Sequence, residues 1–360
     1  MPAPRRIIFW QPIDSPHQDA FLEAVAEQFG GEVMLGVERP FPADRAAQGW
    51  RPPQHRLVKV VDISRPENHA ALAAHSGPDS LHVFTGFFSH PLVWSGFRRL
   101  APTQARLAIY SEAPEQPLLT GWLKRLRGRL LAARWASRIA FVLALGGLGC
   151  EFFSAIGFPR EKIVPFGYYL AEPSLPPAER HPDVPFRFIS AGQLIRRKGI
   201  DLLIKACGSL PPSGWRLDIY GDGREQSALE RLAASLQLTD RIAFHATLPN
   251  DQLQAELAAS DCAILPSRFD GWGMLVNEAL AAGTPVICTN RCGAAALPAE
   301  CGLSAIAPSP TSAALAAALG MALRVGPPPH ELRLRLAAAV RERGSATAAA
   351  RRFLSAIATA

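Results

Sequence analysis

The stretch PSRFDGWGMLVNEALAAGTPV, residues 266 to 286, sets Asp270 ahead of two glycines and Glu278 on the helix that should follow. Gly271 and Gly273 let the backbone approach a ligand closely and leave amides exposed where a helix begins. Those amides, with the positive end of the helix dipole, favour an anion. Leu275, Val276, Ala279 and Leu280 predict an apolar face, and Gly283 with Pro285 ends the helix. Glu278 then falls on the flank of that face, where a half-buried carboxylate wants specific donors such as the hydroxyls of a ribose. Read singly, Asp270 is a capping acid, Glu278 a solvated helix residue and the glycines a turn. Read together, at the end of a strand, they predict a ligand site.

SAGQLIRRKGIDLLIKA, residues 190 to 206, ends a strand at Ser190 and turns at Gly192, with Arg196, Arg197 and Lys198 before a helix starting near Gly199. Cations at a helix start make a diphosphate clamp. A solvated basic turn is the other reading in a chain so rich in arginine. Gly221 and Gly223 in IYGDGREQ read as an ordinary tight turn. In the N-terminal half, His17 and Gln18 open the first helix, and Glu112 ends a strand on the same side. For His17 and Glu112, a substrate contact and an ordinary turn role both stand open. His90, closing Gly86 to His90, reads as structural.

These residues need strands to carry them. Apolar runs at 5–11, 32–38, 55–63, 81–86, 106–112 and 138–145 read as strands with helices between, and 15–31 reads as a helix opened by Ser15 and Pro16. A second series at 186–192, 215–221, 241–246, 261–267 and 285–290 follows a stretch rich in proline and charge. Strands buried on both faces with intervening helices predict parallel sheets, which bind ligands at their carboxyl ends. The fold class is therefore α/β: two Rossmann-like domains facing across a cleft. Residues 1–168 read as the first domain, 169–185 as a linker, 186–345 as the second domain and 346–360 as a last helix.

The 360 residues, 48% apolar and 19% charged, exclude disorder, and the formal charge of +7 suits an anionic partner. No zinc finger, aromatic RNA-binding pattern or basic tail supports nucleic acid. Most of the six cysteines, which form no C-x-x-C, read as buried thiols in a reducing cytosol. No apolar run approaches the ~20 residues that span a bilayer, so a cytoplasmic location is expected. Residues 120–138 carry Lys124, Arg125, Arg127, Arg129, Arg134 and Arg138 without an acid, Leu123, Leu126 and Leu130 at helical spacing, and Trp122 and Trp135 at the ends. Such a helix suits an anionic membrane surface. A core-facing helix with a solvated basic face, weakened by Gly128, is the alternative.

From about 186 to 308 the chain resembles the donor-binding domain of glycosyltransferase family 4, the retaining group with the B-type two-domain fold. The family pattern G-R-L-x-x-x-K-G, then G-x-G, then E-x-G-x-G-L-x-x-x-E-A-x-A-x-G-x-P-V is followed by residues 192–199, 221–223 and, most closely, 270–286. The resemblance implies that Glu278 binds the ribose and that Asp270 sits beside the donor sugar, steadying charge at the reacting carbon. It implies that Gly271, Trp272, Gly273, Met274 and Leu275 offer amides to sugar and phosphates, that Gly192 and Gln193 line the donor, and that Lys198, with Arg197 beside it, holds the diphosphate. Asp270 is one methylene shorter than the family's glutamate, and Gln193 replaces its arginine. The resemblance makes 186–345 the nucleotide-sugar side and 1–168 the acceptor side, with 346–360 crossing back to the first domain. The implied activity is transfer of a sugar from a nucleoside diphosphate to a hydroxyl, without metal or cofactor, in envelope polysaccharide synthesis, with a lipid-linked glycan, a lipopolysaccharide, a small metabolite or a protein as the candidate acceptors. A sugar-nucleotide epimerase or hydrolase of the same fold, and a non-catalytic scaffold, remain as rivals.

Overall fold

The computed structural model describes residues 4–39, 41, 52–115, 121–170, 185–303, 306–307 and 309–359. Contacts divide the chain into two units: residues 1–171 with 345–360, and residues 172–344. Residues 171–184, most of the expected linker, lie outside the described residues.

In the first unit the strands are β1 (Arg6–Ile13), β2 (Glu32–Arg39), β3 (Lys59–Asp62), β4 (Ser80–Thr85), β5 (Arg106–Ser111), β6 (Ile139–Leu145) and β7 (Ile163–Phe166). They form a parallel sheet in the order β3-β2-β1-β4-β5-β6-β7. The connecting helices are α1 (Pro16–Phe29), α2 (Pro66–Ala73), α3 (Pro91–Leu100), α4 (Gly121–Trp135) and α5 (Gly146–Ala155). β7 escaped the sequence reading because a short strand containing Pro165 has little periodicity.

The strand expected at 55–63 forms only over Lys59–Asp62. The Glu23 carboxylate accepts hydrogen bonds from the amides of Arg56, Leu57 and Val58 at 3.0, 3.1 and 3.2 Å. His55 beside them bonds Asp14 at 3.0 Å. The amides that would have paired in a ladder are spent on a side chain instead.

In the second unit, β8 (Phe186–Ala191), β9 (Trp215–Tyr220), β10 (Ile242–His245), β11 (Cys262–Leu265), β12 (Val286–Thr289) and the short β13 (Ile306–Ala307) form a parallel sheet in the order β10-β9-β8-β11-β12-β13. Its helices are α6 (Ile200–Cys207), α7 (Gln226–Ser235), α8 (Asn250–Ala258), α9 (Met274–Ala281), α10 (Leu297–Glu300), α11 (Ser312–Val325) and α12 (His330–Arg343). The last helix, α13 (Ala346–Thr359), packs on α1 of the first unit. There Phe353 meets Phe9 and Phe21 at ring distances of 5.6 and 5.7 Å, and Arg106 reaches the Ile357 carbonyl at 2.7 Å.

The second unit buries a charge in its frame. Arg333 of α12 is 1% exposed and donates to the carbonyls of Ala258 and Ser260 at 3.1 and 2.7 Å, with Asp261 at 3.6 Å. Asp261 in turn takes the Arg187 amide at 2.7 Å. One guanidinium thus ties α12 to the end of α8 and the start of β11. Removing one partner of such a pair leaves the other charge desolvated, so Arg333→Met should destabilise this unit by about 3 kcal/mol or more. Urea unfolding followed by tryptophan fluorescence would test it, and a loss under about 1 kcal/mol would argue against the tie.

Candidate functional site

Every strand of the second sheet runs the same way, so the loops after β8, β9, β10, β11 and β12 share one end. Strand order reverses between β8 and β11, which is where a doubly wound sheet opens a crevice for ligand. Lys198 comes from the loop after β8 and Asp270 from the loop after β11. Their side chains meet, Nζ to Oδ2, at 2.6 Å, with both half to fully buried. Arg197 stands 3.8 Å from the other carboxylate oxygen and donates to the Phe269 carbonyl at 3.0 Å.

The backbone makes this meeting possible. Gly199 has φ +70°, and a Cβ there would lie 2.1 Å from the Pro266 carbonyl oxygen, so only glycine lets the two loops touch. Arg268 donates its amide to the Arg197 carbonyl at 2.9 Å and forks onto Asp201 at 2.6 and 2.7 Å. Beyond Asp270, its amide reaches the Arg291 carbonyl at 2.9 Å, and Gly293 returns a bond to the Asp270 carbonyl at 3.0 Å. The segment is therefore braced on both sides by neighbouring loops.

Several details differ from the sequence expectations. Arg196, Arg197 and Lys198 form a 3-10 turn of their own ahead of α6, which is capped by Gly199. Asp270 does not cap α9; that position belongs to Gly273 at φ +101°, which has no side chain to offer the first amides. Of those amides, that of Val276 turns back to the Gly273 carbonyl at 3.0 Å. Trp272 turns its indole inward to Asn277 at 2.7 Å, so its contribution to a ligand would come from backbone alone. Gly192 is exposed, Gln193 half-buried, and the Lys198 stem passes 3.9 Å from where a Gly192 Cβ would be.

Glu278 departs most. The expectation was a half-buried flank, but α9 is buried all round from Leu275 to Ala281, and Glu278 is 6% exposed. Burial raises its carboxyl to about 7, opposed by a hydrogen bond from Asn250 and by the charge of Lys198. Asn250, the first residue of α8, donates Nδ2 to Oε1 at 3.1 Å. Sequence reasoning missed Asn250, whose only signal was a helix-start asparagine after Pro249.

In the first unit the strand order reverses between β1 and β4. His17 lies at the start of α1, after β1, and is half-buried. His90 caps α3, after β4. Glu112 follows β5, one strand further along, and its carbonyl accepts from Ser111 at 2.9 Å. The Asp14–His55 pair near the end of β1 was not anticipated; the hydrogen bond to Asp14 raises the imidazole above its ordinary value.

Parallel sheets with a cation–carboxylate pair at the switch point and a buried carboxylate in the helix that follows define a doubly wound α/β class, whose ligands bind at the carboxyl ends of the strands. Residues 172–343 match the family described as glycosyl transferases group 1. The chain is 35% identical over 105 residues to the lipopolysaccharide core biosynthesis glycosyltransferase LpsE of Rhizobium meliloti, covering 29% of this chain and 30% of that protein. It is 30% identical over 162 residues to the putative colanic acid biosynthesis glycosyltransferase WcaL of Escherichia coli, covering 42% and 40%. The match thus spans at most about two fifths of these relatives' length. Among solved structures, Anabaena Alr3699/HepE in complex with UDP superposes at TM-score 0.73 with 15% identity, over 99% of this chain and 100% of that one. The B-type fold therefore extends over the first unit as well.

The raised Glu278 makes a stability prediction. Because its folded value exceeds the unfolded one, the folded state holds an extra proton between about pH 4.5 and 7. Its contribution is most favourable below that window and is lost as pH rises through it, at a cost of about 3 kcal/mol. Glu278→Gln should leave stability near pH 4.5 little changed and raise the melting temperature at pH 8. Melting curves across that range give the test, and a variant less stable than wild type at pH 8 would contradict it.

Proposed function

We propose that the protein transfers a sugar from a nucleoside diphosphate donor to a hydroxyl of a cell-envelope glycan, with retention at the anomeric carbon. The observation that carries this reading is the convergence of Lys198, Arg197 and Asp270 at the switch point of the unit that matches the group 1 family, with Glu278 in the adjoining helix. The names of LpsE and WcaL support an envelope glycan as product, and a lipid-linked acceptor at the inner face of the membrane fits that role.

In the reaction the bond between the anomeric carbon and the diphosphate oxygen breaks, and negative charge gathers on the leaving group. Lys198 and Arg197 stabilise that charge, as do the amides opening α9, which is where preorganised electrostatics lower a barrier most. The diphosphate displaces Asp270 as the anion at Lys198, and Asp270 turns to the positive charge growing at the sugar carbon. The acceptor oxygen bonds to that carbon, and its proton passes to the leaving phosphate. Two fixed cations neutralise the diphosphate without a divalent metal. Glu278 accepts hydrogen bonds from the ribose hydroxyls, and Asn250 holds its carboxylate in place. His17 and Glu112 are the acceptor-side candidates.

Thermal shifts with UDP, GDP, ADP and TDP come first. Ligand at about 100 times its Kd should add ~2.7 kcal/mol to the folded state, and Glu278→Gln should remove the shift. Because Glu278 must be ionised to accept from ribose, nucleotide affinity should fall as pH drops below about 7, by up to tenfold per unit. Asp270→Asn should lower kcat on the order of a hundredfold while donor KM stays near wild type. Equal kinetics would remove Asp270 from the chemistry. Donor turnover without acceptor would favour an epimerase or hydrolase, and no nucleotide binding would favour a scaffold.

A further inference from the structure

Helix α4 shows the reverse of a core-facing pattern. Its buried residues are small: Gly121, Gly128 and Ala132. Four large apolar ones face outward, with Trp122 60%, Leu123 48%, Leu126 48% and Leu130 66% exposed, while Leu131 packs partly buried against the core. Gly128 does not weaken the helix pattern here but allows close packing, since a Cβ there would stand 2.9 Å from Ile156 Cγ2. Trp135 anchors the far end, edge-on to Trp94 and Phe97 at 5.9 and 5.5 Å.

At 100° per residue, Trp122, Leu126 and Leu130 line up in one row, with Leu123 beside it. Arg125 and Arg129 run along one flank of that row, and Arg127 and Arg134 along the other. All four are exposed, and the helix contains no acid. Arg138, counted with the helix from sequence, instead closes the carbonyls of Ala101, Thr103 and Ala105 at 2.7, 2.9 and 3.3 Å.

We propose that α4 is the membrane-contact element of this protein, lying in the interface of an anionic bilayer. An apolar row between two rows of arginine is the arrangement an interfacial helix needs: the row enters the headgroup boundary while the guanidiniums meet lipid phosphates. Charge speaks for lipid over a second copy, because two such helices face to face would oppose arginine to arginine with no acid on either to relieve it. Among the described residues no helix is long and apolar enough to cross a membrane, so contact of this kind is surface contact. The inference stands independently of the transfer chemistry.

The full chain would be sedimented with phosphatidylcholine vesicles, with and without one third phosphatidylglycerol. Binding should require the anionic lipid and weaken with salt. Leu126→Glu with Leu130→Glu should abolish it. Arg127→Gln with Arg129→Gln should weaken it about 25-fold at low salt, roughly fivefold per charge. These side chains are exposed, so both variants should melt at the wild-type temperature, separating lost docking from lost fold. Three results would overturn the proposal: no binding to anionic vesicles, equal binding of the leucine variant, or a wild-type dimer that the leucine variant dissolves in the absence of any vesicle binding.

Discussion

The ion pair between Lys198 and Asp270 is the contact on which the candidate site depends. It joins two loops that neighbour each other in the sheet but are far apart in sequence. Neither charge is fully solvated, so each needs the other or an equivalent ion. The pair does not assemble the loops by itself. Gly199 against Pro266 and the fork of Arg268 on Asp201 hold the two backbones together, and that spacing puts the ammonium and carboxylate in register. A site built this way can exchange one anion for another at Lys198 with little rearrangement of the frame, which is what electrostatic preorganisation requires.

Glu278 is the place where the second unit departs from what stability alone would select. A carboxyl inside a helix buried on every side raises its own protonation and costs the fold free energy once ionised. Asn250 and the charge of Lys198 offset only part of that. Local rules of burial are usually broken where function requires it, and a residue poised near neutrality can respond to whether a polyhydroxyl ligand is present. The neighbouring Arg333 network shows the contrast: there a buried charge has two carbonyls and an aspartate close by, and its role is to hold elements together.

The first unit repeats the parallel-sheet plan with different furniture. At its switch point stand His17 and His90, with the Asp14–His55 pair near the end of β1, and the arginine-rich face has moved outward to α4. The formal charge of +7 sits entirely in this unit: residues 1–171 with 345–360 hold 21 Lys and Arg against 14 Asp and Glu, whereas residues 172–344 hold 17 of each.

The order of strands and helices was legible in the sequence, because parallel strands buried on both faces write themselves as apolar runs between helical periods. The motif from Asp270 to Val286 was legible because glycines at fixed offsets from acids report backbone geometry directly. β7 and most of the 55–63 strand were not: a four-residue strand leaves almost no period, and the Glu23 side chain competed for the amides of 56–58. Sequence spacing placed Leu123, Leu126 and Leu130 on one side of α4 but could not say which side was covered. That was decided by Gly128 and Ala132, whose small size lets the opposite face lie close to Ile156 and the core beneath. The depth of Glu278, its partner Asn250 and the meeting of Lys198 with Asp270 likewise rest on contacts between distant segments. A one-dimensional pattern fixes which residues share a face; only packing decides what that face touches and how much water it keeps.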